Sequence, residues 1–304
     1  LVGAAGTRDN NTLGHLAALL SILIWGTTFV STKILLQSFT PIEILFFRFI
    51  IGLLTLILIY PRRLKVNLRS QEIVFAAAGL SGVTLYYLLE NVALSYTMAS
   101  NVGVIICIAP FFTAILAQFF LKGESLNPNF FLGFILAISG IFLISFNGTA
   151  TFELNPIGDL LAVLAAFAWA VYSILTRKIA SFGYNAIQTT RRVFSYGLLF
   201  MLPTLLFFPF KWELGRFANP IYLFNILFLG LGASALCFVT WSFSVRLLGA
   251  VKSSIYIYMV PVITVVTAVI VLHEKITGMA GLGILLTLMG LMVSESKVAF
   301  KQKI

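Results

Sequence analysis

The chain has 304 residues, 60% of them hydrophobic and only 10% charged, with a mean hydropathy of +1.03. No soluble domain of this size can hide that much apolar surface, so a water-soluble protein is excluded and the bilayer becomes the solvent. The formal net charge of +10 raises the question of a polyanionic partner, which the placement of the charges answers.

A membrane-spanning helix needs roughly 20 mostly apolar residues. Residues 1–12 read as an N-terminal tail. The first apolar run, about 13–36, is too long for a signal-peptide core and has no clear cleavage site, so it reads as a true span. On it Ser21, Trp25, Thr28 and Thr32 follow helical spacing. The second helix, about 42–60, carries Arg48. The third, about 71–94, carries Tyr86, Tyr87, Glu90 and Asn91. Asn101 opens the fourth, about 100–121, which also holds Cys107 and Pro110. Glu124 stands at the junction to the fifth, about 129–146, where Gly133 and Gly140 share one face. The sixth, about 157–175, has Trp169, Tyr172 and Ser173 on one stripe, with Thr176 just beyond it. The seventh, about 186–208, carries Arg191 and Arg192. Ser234, Cys237 and Trp241 line a face of the eighth, about 221–245. Ser254 and Tyr258 lead to Pro261 in the ninth, about 253–272. Glu274 precedes the tenth, about 278–294, which holds Gly283 and Gly290, and a basic tail, 297–304, closes the chain.

The second half of this series repeats the first. Pro110 is echoed by Pro261, and Glu124, Gly133 and Gly140 by Glu274, Gly283 and Gly290 with the same spacings of 9 and 7. Trp25, Lys33 and Arg48 are echoed by Trp169, Arg177 and Arg192, each 144 residues later. Each copy, 13–146 and 157–296, holds five helices. Five is odd, so if both copies span a membrane the second enters from the opposite side. Inverted duplication is a known construction for transporters, with the solute site between the copies. The expected fold is therefore an all-α polytopic membrane protein of ten transmembrane helices in two inverted five-helix repeats.

With the N-terminus inside, the inner loops and tails hold 13 Lys and Arg and the outer loops 4. The positive-inside rule then places both termini in the cytoplasm of a multi-pass cell-membrane protein. The excess charge orients the chain, and a nucleic-acid partner is not expected. The basic run Pro61-Arg62-Arg63-Leu64-Lys65 after the second helix faces inward, whereas the counterpart after the seventh holds only Lys211 and Arg216 around Glu213. Cys107 and Cys237 fall inside helices and read as small buried hydrophobes rather than a disulfide.

Several motifs stand together at matched spacing. Residues 93–100 read Ala-Leu-Ser-Tyr-Thr-Met-Ala-Ser, followed by Pro110, Glu124 and Gly133. Residues 246–250 read Arg-Leu-Leu-Gly-Ala, followed by Pro261, Glu274 and Gly283, and Trp25-Gly26-Thr27-Thr28-Phe29 stands near the start. Over about 13–296 the chain resembles the EamA-type family of the drug/metabolite transporter superfamily. The resemblance implies ten helices in two inverted repeats and export or exchange of small metabolites, amino acids and related compounds foremost.

The residues themselves suggest a path. A helix proline lacks an N–H and disturbs the bond to residue i−4, so Pro110 frees the Ile106 carbonyl and Pro261 that of Ile257. Disturbed backbone at membrane depth is tolerated where it packs on protein or lines a wet cavity. The paired glycines let helices approach closely. Glu124 and Glu274 suit helix-capping positions. Glu90 is the clearest deep ionisable group, a costly placement that marks function in membrane proteins. Tyr86 and Tyr87, four and three residues before it, lie beside it on the helix. Its repeat counterpart is Trp241, so the acid is an asymmetric addition. The candidate solute-binding set is Trp25, Thr28, Tyr87, Glu90, Asn91, Asn101, Trp169, Tyr172, Ser173, Trp241 and Tyr258. Arg48 and Arg192 read as gating or structural groups.

No P-loop, nucleophile elbow, paired catalytic acids or metal-ligand cluster appears, so catalytic residues, cofactors and metals are not expected. The partners expected are a small solute and the lipid bilayer, with the oligomeric state open. Exchange of nucleotide sugars or phosphorylated metabolites would favour Lys or Arg in the pocket, and the pocket helices carry none at mid-membrane. A non-transporting scaffold or sensor is the other alternative.

Overall fold

A computed structural model describes residues 2–66, 68–96, 99–121, 128–146, 155–207, 209–272 and 278–295. The described residues form helices and connections, with no strand among them. α1 is Val2–Leu35 and α2 is Pro41–Ile59. α3 joins Arg69–Gly79, a π-helical stretch Leu80–Leu85 and Tyr86–Tyr96. α4 joins Ala99–Ile106 and Ala109–Phe120 across a break, and α5 is Pro128–Phe146. α6 is Pro156–Ala180, and α7 is Ala186–Met201, which tightens into a 3-10 turn at Leu202–Leu206. α8 joins Pro220–Leu227, a π-helical stretch Phe228–Leu236 and Cys237–Leu248. α9 joins Ala250–Ile255, a 3-10 turn Tyr256–Tyr258 and Met259–Leu272, and α10 is Gly278–Glu295.

Local chemistry sets many of these boundaries. Thr40 caps α2 in a reciprocal capping box with Glu43, with Pro41 at the first helical position. Asn155, Asn185 and Asn219 cap α6, α7 and α8 through their side-chain oxygens, and Pro156 and Pro220 repeat the proline start. Gly249, at φ +93°, turns α8 directly into α9 in a conformation that L side chains resist. Residues 2–12, read from sequence as a tail, instead continue α1.

Among the described residues five helices are long and apolar enough to cross a membrane: Asn11–Thr32, Pro41–Ile59, Arg69–Ala93, Pro156–Ala180 and Pro220–Leu248. Shorter apolar helices lie at Ala109–Phe120, Pro128–Leu143, Ala250–Thr264 and Gly281–Ser294. Large apolar side chains such as Leu58, Phe119, Ile135 and Leu285 face outward, as a lipid-facing surface requires.

Packing in the two halves follows one scheme. α3 packs on α6 and α8 on α1; α2 meets the π stretch of α8 and α7 that of α3; α4 lies on α6 and α9 on α1. Every one of these contacts has a counterpart five helices along. α5 and α10 form a pair set to one side, in contact along their length. Their glycines permit it, since a Cβ added at Gly140 would stand 2.5 Å from the Gly283 carbonyl oxygen and the Thr287 nitrogen.

Candidate functional site

α1, α3, α6 and α8 meet in an aromatic cluster. The Trp25 ring stands edge-on to Trp169 at 5.2 Å and 5.3 Å from Trp241. Tyr86 lies 4.9 Å from Trp169 and at nearly a right angle to Tyr87, 4.8 Å away. Phe238 fills the space between Trp25, Trp169 and Tyr172. Edge-to-face contacts are the favoured geometry of such rings. The Trp25 indole N–H is spent on the fold: it donates to the Ala233 carbonyl at 2.9 Å.

Beside this cluster lies a cavity with about 60 Å³ open to water molecules, room for several. Its walls are Trp25 and Thr28 from α1, Tyr86, Tyr87 and Glu90 from α3, and Trp169 from α6. The breaks in α4 and α9 close it with Ile106, Cys107 and Ile257. The disturbed backbone expected at the two prolines thus borders the cavity. The Ile257 carbonyl, freed by Pro261, accepts the Cys107 thiol at 3.9 Å, a weak donor filling an orphaned acceptor. Glu90 is buried, one helical turn beyond Tyr86, and both side chains line the cavity. Among the described residues no Lys or Arg lines the cavity. Arg48 lies one layer back. Its guanidinium sits 4.6 Å over the Tyr87 ring, and its Nε donates to Ser234 at 3.0 Å.

Five of the sequence-chosen residues, Trp25, Thr28, Tyr87, Glu90 and Trp169, therefore share this wall. Others do not reach it. Asn91 is one residue, hence a quarter-turn, past Glu90, and its amide donates to the Pro41 carbonyl at 3.4 Å. Ser173 turns back on its own helix, donating to Trp169 O at 3.0 Å. Trp241 is fully enclosed behind Trp25. Tyr258 is enclosed near Phe134. Tyr172 packs on Trp169 and lines instead a second cleft with Thr176, Thr190, Ser242 and Arg246. The Asn101 side chain, Glu124 and Glu274 lie outside the described residues. Ile106, Cys107 and Ile257 were not chosen from the sequence as wall residues, though the two prolines had marked that backbone.

Arg48 and Arg192, equivalent in sequence, have different surroundings. Arg48 is buried, whereas Arg192 is partly exposed and pairs with Glu72, which also accepts from Tyr196. Arg191 donates to the carbonyls of Tyr60 and Arg62, both at 2.8 Å. Neither Glu72 nor Glu43, which is fully buried at the start of α2, was chosen from the sequence. Glu43 receives the backbone N–H of Thr40 and of Lys211, each at 2.7 Å, and both terminal nitrogens of Arg216. The carboxylate holds the Arg216 guanidinium above its ordinary range. The Thr40-x-x-Glu43 capping box was legible in sequence; the cation 173 residues away was not. Cys107 and Cys237 are free and buried, as expected. No group of three or more His, Cys, Asp or Glu that could hold a metal occurs among the described residues.

The comparisons with known proteins agree with this architecture. An uncharacterized transporter of Archaeoglobus fulgidus is 30% identical over 297 residues, 94% of this chain and 99% of its own length. The uncharacterized transporter YvbV of Bacillus subtilis is 28% identical, over 91% of this chain and 90% of its own. A probable terminal-alkyne amino-acid exporter of Streptantibioticus cattleyicolor is 25% identical, over 94% and 95%. A solved crystal structure, 22% identical in sequence, superposes with a TM-score of 0.75 over 93% of this chain and 96% of that one. The sequence model of the EamA-like transporter family matches twice, at residues 12–146 and 156–295. The chain belongs to the EamA-like transporter family.

Proposed function

We propose that this protein is a secondary transporter that exports or exchanges small metabolites, amino acids and related compounds first, by alternating access at the central cavity. The observation that carries the reading is the cavity itself. It lies where helices of both halves meet, it is walled by aromatic rings with one carboxyl, and the broken segments of α4 and α9 close it. Transporter sites of this kind sit at a repeat interface and use discontinuous helices. A mostly apolar pocket with a few placed polar groups suits a small organic solute. That no Lys or Arg lines the wall among the described residues disfavours phosphorylated solutes. One relative, at 25% identity, carries the name of a probable amino-acid exporter.

The finer architecture belongs to the same proposal. Ten helices cross the cell membrane as two inverted five-helix repeats, 13–146 and 157–296, with both termini in the cytoplasm. The paired family matches, the matched helix contacts and the 13-to-4 charge asymmetry support it. Movement of one half against the other exposes the cavity to each side in turn. The test is counterflow in proteoliposomes with a panel of neutral, aromatic and cationic amino acids and a nucleotide sugar. Saturable amino-acid exchange is expected. Exchange of the nucleotide sugar alone, or no exchange by folded protein, overturns the reading.

A further inference from the structure

Trp25 and Trp169 occupy equivalent positions in the two halves, 144 residues apart, yet they use their indole N–H groups differently. Trp25 donates to the carbonyl of Ala233 on α8. The carbonyl equivalent to Ala233, 151 residues earlier, is that of Gly82 on α3. There the Tyr172 ring packs directly on Gly82, and Trp169 does not make the counterpart bond. The Trp169 N–H is enclosed and has no hydrogen-bond partner, although the ring lines the cavity and is only 5% exposed. Buried donors almost always find an acceptor. Here the fold has withdrawn the symmetric one and left an unspent donor on a ring that lines the cavity.

The same wall holds the means to bind a cation. Tyr86 and Tyr87 meet at 84° and Trp25 and Trp169 at 85°, so ring faces point in several directions around one carboxyl, Glu90. Ring faces attract ammonium groups, and the carboxyl adds an acceptor. We propose that the cavity reads a zwitterion by two separate devices: Glu90 and the rings take the ammonium, and the Trp169 Nε1–H donates to a carboxylate oxygen of the same solute. This rests on the amino-acid reading above and adds a residue that sets specificity for the acid group.

The test compares phenylalanine with phenethylamine, the same ring and ammonium without the carboxylate. Counterflow competition is measured in wild type and in protein carrying benzothienylalanine at position 169, which keeps the fused-ring shape and replaces N–H by sulfur. Wild type should prefer phenylalanine. The replacement should raise its half-saturating concentration roughly tenfold, the range for a hydrogen bond to a charged group, and move phenethylamine less than twofold. Should that protein not fold, Trp169→Phe reads the same ratio. An equal shift for both solutes, no shift for either, or wild type preferring phenethylamine overturns the inference while the transporter reading stands. Wild type that exchanges no amino acid overturns both.

Discussion

Arg216→Ala is the substitution whose cost the structure fixes best. Arg216 sits in the connection between α7 and α8 and fastens it to the start of α2. Its two terminal nitrogens reach both Glu43 carboxylate oxygens, at 3.1 and 2.9 Å. It also donates to the carbonyls of Ser38 and Lys211 and lies 4.2 Å over the Phe39 ring. The Glu43 side chain is 0% exposed and that of Arg216 15%. Removing one member of a buried pair costs about 3–5 kcal/mol, because the partner stays buried and uncompensated. Two backbone N–H groups still hold Glu43, and Arg216 keeps some contact with water, so the lower end applies, about 3 kcal/mol. The assay is reversible unfolding of the detergent-solubilised protein, as a cycle with Glu43→Gln. The neutral amide removes the charge that Arg216 serves, so the pair should show a coupling of about 2 kcal/mol. A coupling below about 0.5 kcal/mol, the additivity limit for independent sites, would refute the reasoning that this pair is desolvated and bidentate.

Four further outcomes follow from the same geometry. Arg192→Ala should cost only about 1 kcal/mol or less in the same assay, because its side chain and that of Glu72 are 39% and 25% exposed; a loss equal to that of Arg216→Ala would contradict the distinction. Gly140→Val drives a branched side chain into the α10 backbone and should lose about 3 kcal/mol or more, whereas Gly103→Ala, where an added Cβ meets nothing within 4 Å, should gain about 0.5–1 kcal/mol in helix propensity. Glu90→Gln should cut amino-acid counterflow at least tenfold while the protein still folds, and full transport with an unchanged pH profile would remove Glu90 from the mechanism.

The helices were legible because apolar runs of bilayer length have few other fates. The two stretches that match the family model were legible as prolines, glycines and arginines recurring at fixed offsets. The π-helical stretches of α3 and α8 were not, although Gly79 and Gly230 beside or within them pack closely against α7 and α2. Glu90 with Tyr86 and Tyr87 could be placed together because i, i+3 and i+4 positions share a helix face. Asn91 could not, because neighbouring positions point about 100° apart and helix rotation is set by partners distant in the chain. Ser173 shows the other ambiguity: a hydroxyl on a polar stripe serves equally well as a bond back to its own helix. Glu43 and Arg216 needed the fold, since nothing local links residues so far apart.

The central claim, that the solute occupies the cavity between the halves, is tested most directly at Gly103. This residue lines the cavity, and a side chain there has free space. In a background of Cys107→Ser and Cys237→Ser, Gly103→Cys supplies a single thiol on the wall. Its alkylation rate by a small permeant maleimide is measured in proteoliposomes with and without a transported amino acid. The account predicts saturable protection, half-maximal at the concentration that half-saturates counterflow. An alkylation rate unchanged by saturating transported solute would contradict it.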